Sequence, residues 1–203
     1  MLPKLPFLYC FLVFCFWVRY ELRKSKTKTT DSKNTLFENE ARANLTRKKP
    51  LSSLNYITVS EKSILFLEIN DDNIKKIQKN FVDLRDKKIV NLSNKSNTEL
   101  KAEYGPANLT VLSEYSDNFI TLISSIQKYA KRLNELGFDN EAIEALEYSV
   151  RIGCDMISSY RLLTELYIKN NQPDKINALL EYADALDSIT KKPILNFLHS
   201  SVV

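Results

Sequence analysis

Chemistry needs a nucleophile, an acid or a ligand set held against a partner, and few residues here qualify. The chain has one histidine, His199, and three cysteines, Cys10, Cys15 and Cys154. Cys10 and Cys15 lie inside an apolar run and Cys154 stands alone, so the chain offers neither a disulfide framework nor a zinc-ligand spacing. Glu141, Glu144 and Glu147 recur every three positions. That spacing could serve a metal, but it is also the spacing of a solvated helix face, and the second reading is the one taken here. No glycine-rich loop of the phosphate-cradling kind occurs, and no nucleophile has a His or acid partner in its local sequence. The residues point away from an enzyme, a cofactor and a metal site. A catalytic centre assembled in space from distant residues is the alternative this reasoning leaves open.

With little chemistry to position, the elements become the informative part. Of 203 residues 44% are hydrophobic, enough to bury a core, and only three are glycine and six proline. Scarce turn formers favour helices over the many tight turns of an all-β fold, so the fold class is mainly α. The net charge of +4 is unevenly spread. Residues 19–50 hold ten basic and four acidic residues, 51–116 hold nine of each, and 117–203 hold nine basic against twelve acidic. The excess stands beside an apolar segment and no basic face continues into the folded part. This pattern suits anionic lipid headgroups and excludes a nucleic-acid partner.

That apolar segment is Leu5 to Val18, preceded by Lys4 and followed by Arg19, Arg23, Lys24, Lys26 and Lys28. It predicts a membrane anchor over residues 1–20, a single-pass transmembrane helix, although its fourteen residues fall short of the ~20 a full span uses. Leu2 and Pro3 extend the run, Lys4 can snorkel, and Trp17 and Tyr20 suit the headgroup boundary. A cleaved signal peptide is the alternative. Against it, Arg19, Tyr20, Glu21 and Leu22 follow Val18 where a signal peptidase needs small residues. Five basic residues after the segment against one before it place the C-terminal bulk in the cytoplasm, with an extracytoplasmic placement as the alternative.

Residues 21–50 are rich in Lys, Thr, Asn and Arg without apolar periodicity and read as a flexible basic linker. Residues 51–116 read as a mixed, mostly helical lead-in. Leu54 to Val59 alternates like a short strand, and Ile64 to Leu67 is a brief apolar run. Asp72 can cap a helix carrying Ile74, Ile77, Phe81 and Leu84 at helical spacing. A short helix near Thr98 to Tyr104 and a break at Gly105 and Pro106 come next, and Leu109 to Leu112 read as irregular packing.

From Asp117 the pattern is clear. Phe119, Leu122, Ile123, Ile126, Tyr129, Ala130, Leu133 and Leu136 form a wide apolar stripe that Gly137 ends, and a second stripe of Ala142, Ile143, Leu146, Ser149 and Val150 closes at Gly153. Two antiparallel helices joined by a tight turn follow. The unit then recurs: Ile123, Ser124 and Ser125 are matched by Ile157, Ser158 and Ser159, and Leu146, Glu147 and Tyr148 by Leu180, Glu181 and Tyr182, both at an offset of 34. Tyr129, Tyr148, Tyr160, Tyr167 and Tyr182 read as core or repeat-interface residues rather than ligand contacts.

A helix-turn-helix period of 34 resembles the tetratricopeptide repeat, and residues 117–203 are read as such an array: units 123–156 and 157–190 with a capping helix over 191–203. On the family's pattern Ala130, Gly137, Ala142, Leu146 and Ser149 take the small, turn, close-contact, bulky and small positions. Leu163, Thr164, Tyr167, Asn171, Leu180 and Ala183 take the corresponding places in the second unit. Ile176 departs from the usual alanine, and Asn171 from the usual glycine. Around Ser96 to Leu100 and Tyr104 to Leu109 the chain also resembles uncharacterised membrane-anchored proteins of clostridial bacteria.

What the tetratricopeptide resemblance implies is an α-solenoid whose concave face receives a protein or peptide partner. On the family's phase that face comprises Gln127, Lys131, Asn134, Arg161, Glu165 and Lys169. The expectation is therefore a membrane-tethered adaptor or scaffold. A self-associating structural module is the second reading and an enzyme with a spatially assembled site the third.

Overall fold

The computed structural model describes residues 5–60 and 64–201. Expectations that rest on Leu2, Pro3, Lys4, Val202 and Val203, and on the side chains of Arg23, Lys24, Lys26 and Lys28, lie outside the described residues. The chain is mainly helical. Its elements are α1 (Leu5–Asn44), β1 (Tyr56–Ile57), α2 (Asp72–Arg85), β2 (Ile89–Val90), α3 (Asn97–Tyr104), α4 (Leu109–Glu135), α5 (Asp139–Arg151), α6 (Ile157–Lys169), α7 (Lys175–Asp184) and α8 (Lys191–Ser201). The two short strands pair antiparallel, Tyr56 opposite Val90 and Ile57 opposite Ile89.

The N-terminus departs most from expectation. Helix α1 runs through most of the stretch read as a flexible linker. No glycine or proline interrupts residues 7–49, and the stretch from Glu38 to Ala43 is rich in good helix formers. Its last turns dock on α3: the Thr98 hydroxyl donates to Glu40 Oε2 at 2.6 Å, Lys101 pairs with the same carboxylate, and Ala43 is buried. Among the described residues no helix is long and apolar enough to cross a membrane, which corrects the expectation of a transmembrane helix. The apolar part of α1 stops at Val18, so at ~1.5 Å per residue it covers roughly 21 Å of a hydrocarbon layer that is about 30 Å thick. Its large side chains are nonetheless exposed: Tyr9, Phe11, Phe14, Phe16, Trp17 and Tyr20 each keep more than half of their surface open, with only Phe14 and Trp17 among them meeting ring to ring, 6.2 Å between centroids.

Two boundaries move. The cap of α2 is Asp71 rather than Asp72; its Oδ1 accepts from the Ile74 amide at 2.9 Å. Helix α4 begins at Leu109, eight residues before Asp117, because Pro106–Asn108 form a short 3-10 turn, with Gly105 before it, that leads straight into the helix. Leu112 is buried there, against Val90, Leu92 and Leu100, in a small second core. Asn108 ties this corner together, its amide donating to the carbonyls of Lys49 at 2.8 Å and Tyr104 at 2.7 Å.

The main core is the seam of α2, α4, α5 and α6, extended by α7 and α8. The stripe expected on α4 is buried from Phe119 to Leu133, and Ile74, Phe81 and Leu84 of α2 face it. Phe81 meets the Tyr129 ring edge-on with centroids 5.7 Å apart. Truncating a buried aromatic of this kind costs about 3–5 kcal/mol.

The hairpins recur in backbone detail. At the end of α4, Leu136, Gly137 and Phe138 donate to the carbonyls of Arg132, Asn134 and Leu133, at 3.1, 3.0 and 2.9 Å. At the end of α6, Asn170, Asn171 and Gln172 donate to Leu166, Ile168 and Tyr167, at 3.0, 3.2 and 2.8 Å. Each set is a Schellman closure, whose fifth residue must be left-handed. Gly137 has φ 85° and Asn171 φ 53°, the tolerance expected of asparagine at that place. Burial also recurs at the offset of 34: Ser125 and Ser159, Ile126 and Tyr160, Ala130 and Thr164, Leu133 and Tyr167, Ala142 and Ile176, and Ser149 and Ala183 are buried pair by pair. Tyr182 breaks the pattern, being 44% exposed where a core or interface position was expected.

Candidate partner-binding surface

Helical geometry puts the six candidate residues on two neighbouring stripes. Gln127, Lys131 and Asn134 fall at i, i+4 and i+7 of α4, away from its buried stripe, and Arg161, Glu165 and Lys169 at i, i+4 and i+8 of α6. The structure brings two of them together: Lys169 Nζ reaches Asn134 Oδ1 at 3.4 Å and Asp139 Oδ2 at 2.6 Å. This contact ties α6 to the turn between α4 and α5. Arg161 lies over the Phe197 ring of α8, 5.4 Å from its centroid. Gln127 is half-buried, and Lys131 and Glu165 are exposed. The face therefore presents mixed charge, with Arg161 and Lys169 engaged within the fold and Lys131 and Glu165 directed to solvent.

The residues weighed for chemistry take structural places. Glu147 accepts from the Tyr167 hydroxyl at 2.8 Å and from Lys175 at 3.2 Å, tying α5 to α6 and α7. Glu144 is exposed on α5 and Glu141 is half-buried. His199 is exposed on α8. Cys154 is buried beside the Ser159 hydroxyl, 3.8 Å away, and burial pushes its thiol above the usual range, which disfavours the reactive thiolate. Among the described residues no group of three or more His, Cys, Asp and Glu side chains is gathered closely enough to hold a metal ion.

A second surface was not visible in sequence. A cleft of about 580 Å³ opens where the β-ribbon, the C-terminal end of α5 and the connection from α7 to α8 meet. Its walls are pinned by the Asn91 amide, which donates to the Gly153 carbonyl at 3.0 Å, and by Asn94, which reaches Asp187 at 3.4 Å. Gly153, at φ 86°, lies so close to the ribbon that a Cβ there would stand 2.8 Å from Asn91 Nδ2. Arg151, on the last turn of α5, and Tyr148 also line the cleft, and the Tyr148 hydroxyl points at the Thr58 carbonyl 3.4 Å away. Local sequence marked Gly153 only as a helix stop. Its partner lies 62 positions earlier, beyond any periodicity.

No protein-family model, curated protein or solved structure matches this chain.

Proposed function

We propose that this protein is a membrane-tethered adaptor in which two tetratricopeptide-like hairpins, 123–156 and 157–190, hold a segment of a protein partner. The observation that carries the reading is the recurrence of the Schellman closure and of the buried positions at an offset of 34. Stacked hairpins of one period build a continuous recognition surface more readily than an enclosed active site. Lys131 and Glu165 supply exposed charges for the partner, with Gln127, Asn134, Arg161 and Lys169 around them. Recovery of a crosslinked partner from membranes tests this. If the double charge reversal Lys131→Glu and Arg161→Glu leaves recovery unchanged while the helical signal survives, the face is not the docking surface. Light scattering that grows with protein concentration would favour the self-associating alternative instead.

The tether is the apolar end of α1, whose exposed aromatic side chains favour burial in lipid, followed by a basic stretch suited to anionic headgroups. Anionic headgroups are characteristic of the cytoplasmic leaflet of a cell membrane, which favours a cytoplasmic placement of the folded part. Trp17 is the single tryptophan of the chain, so intrinsic emission reports on this end alone. Vesicles containing phosphatidylserine are expected to shift that emission to the blue. Unchanged emission at saturating lipid would remove the tether from the proposal.

A further inference from the structure

The cleft beside Gly153 sorts its polar lining into two sets. Asn91 and Asn94 are committed to Gly153 and Asp187 and build the walls. Asn55 and Arg151 are exposed, and no hydrogen bond or ion pair engages either side chain among the described residues. These two define what the cleft can hold. A primary amide both donates and accepts, as a peptide backbone requires, and a guanidinium matches a carboxylate with parallel donors. The volume is within the range that buries a small ligand or a few residues of chain. Asp187 belongs to the connection after α7, a different wall from Arg151, so the lining also favours one direction for an asymmetrically charged segment.

We propose that this cleft is a second docking site, which takes an extended peptide segment carrying an acidic residue, with Arg151 on its carboxylate and Asn55 on its backbone. The proposal rests on the adaptor reading but assigns it a surface separate from the face of α4 and α6. Preorganisation supports it. The Asn91 to Gly153 bond fixes the ribbon against α5 before any ligand arrives, so little ordering remains to oppose binding.

The chain has only three glycines, and Gly153 lies in the cleft while Gly137 and Gly105 do not line it. Their amide resonances in the full chain, held in detergent micelles, therefore locate binding. The probes are the blocked peptide acetyl-Ala-Ala-Glu-Ala-Ala-amide and its Gln counterpart. The Glu peptide is expected to move the Gly153 amide and the Asn91 side-chain amide and to leave Gly137 in place, with the Gln peptide weaker. Arg151→Gln is expected to weaken the Glu peptide by about tenfold, as loss of a charge-assisted contact does, while Lys76→Gln, exposed on α2 away from the cleft lining, leaves it unchanged. Three results would overturn the proposal: no shift at Gly153 with millimolar Glu peptide, equal response to both peptides, or shifts at Gly137 without Gly153. Retained cleft binding in the double charge-reversed Lys131→Glu and Arg161→Glu protein would separate this site from the hairpin face, so either proposal can fail alone.

Discussion

Arg132 of α4 forks across the carboxylate of Asp71, with Nη2 at 2.6 Å from Oδ2 and Nε at 3.2 Å from Oδ1. Asp71 is also the residue that caps α2, so one side chain both starts that helix and locks it to α4. Bidentate geometry makes this the strongest kind of ion pair the fold offers.

The Arg132 guanidinium, and after it the Ile74 amide, hold the Asp71 carboxyl down to about 2, from an ordinary value of 3.8. A carboxyl that binds its proton less readily when folded contributes stability that is fully present above about pH 4 and lost as the pH falls towards 2. Asp71→Asn removes that contribution. Urea denaturation of both proteins is expected to show a wild-type advantage at pH 7 that shrinks below pH 4. An advantage that stayed constant down to pH 2 would mean that Asp71 is not ionised against Arg132.

Gly137 and Asn171, the left-handed residues that close α4 and α6, should respond unequally to substitution. Gly137→Ala puts a Cβ into open space but into a disfavoured backbone region, and is expected to cost about 1–2 kcal/mol. Asn171→Gly relieves a similar strain while loosening the unfolded chain, and is expected to change stability by less than about 1 kcal/mol. Thermal unfolding of the two variants checks the contrast. A costly Asn171→Gly would mean that the asparagine side chain does more than tolerate the turn.

The difference between these turns and the rest of the fold explains what was legible in sequence. Helix periodicity after Asp117 and the stops at Gly137, Asn171 and Gly153 are each written within a few residues, because helices and their closures are local hydrogen-bonding problems, and the offset of 34 is such a local pattern met twice. The pairing of Asp71 with Arg132 spans 61 positions and that of Asn91 with Gly153 spans 62, and nothing local encodes either. The early start of α4 was missed for a related reason. Leu109 and Leu112 face a small separate core rather than the main seam, so they break the periodicity of the stripe that follows. Of the candidate face, the helical phase was readable, but the engagement of Lys169 by Asp139 and of Arg161 by Phe197 depends on how neighbouring helices meet.

Gly153 offers a sharper test of the cleft wall than its backbone angle alone. Gly153→Ala adds the left-handed strain of Gly137→Ala and also drives a Cβ to 2.8 Å from Asn91 Nδ2, so it is expected to cost about 1 kcal/mol more than its counterpart. In an Asn91→Ala background the extra cost should disappear, because the clashing amide is gone. A double-mutant cycle measured by urea denaturation reads this coupling directly. Additive costs would show that the ribbon shifts away from α5 without penalty.

Tyr160 and Tyr167 make a matched pair on α6. The Tyr167 hydroxyl donates to Glu147 at 2.8 Å, whereas the Tyr160 hydroxyl is buried with no hydrogen-bond partner among the described residues. Burial pushes both phenols well above the usual range, with the adjoining Glu147 adding to the effect at Tyr167, so neither titrates in the physiological range. Removing one oxygen from each side chain therefore isolates the value of the bond. Tyr167→Phe is expected to cost about 1 kcal/mol, since a bond to a partly exposed carboxylate is lost. Tyr160→Phe removes an uncompensated buried hydroxyl and is expected to be neutral or to stabilise by up to about 1 kcal/mol. Chemical denaturation of the two variants decides between them. Equal losses would place a hydrogen-bonding partner for Tyr160 inside the main core, on the side of Cys154.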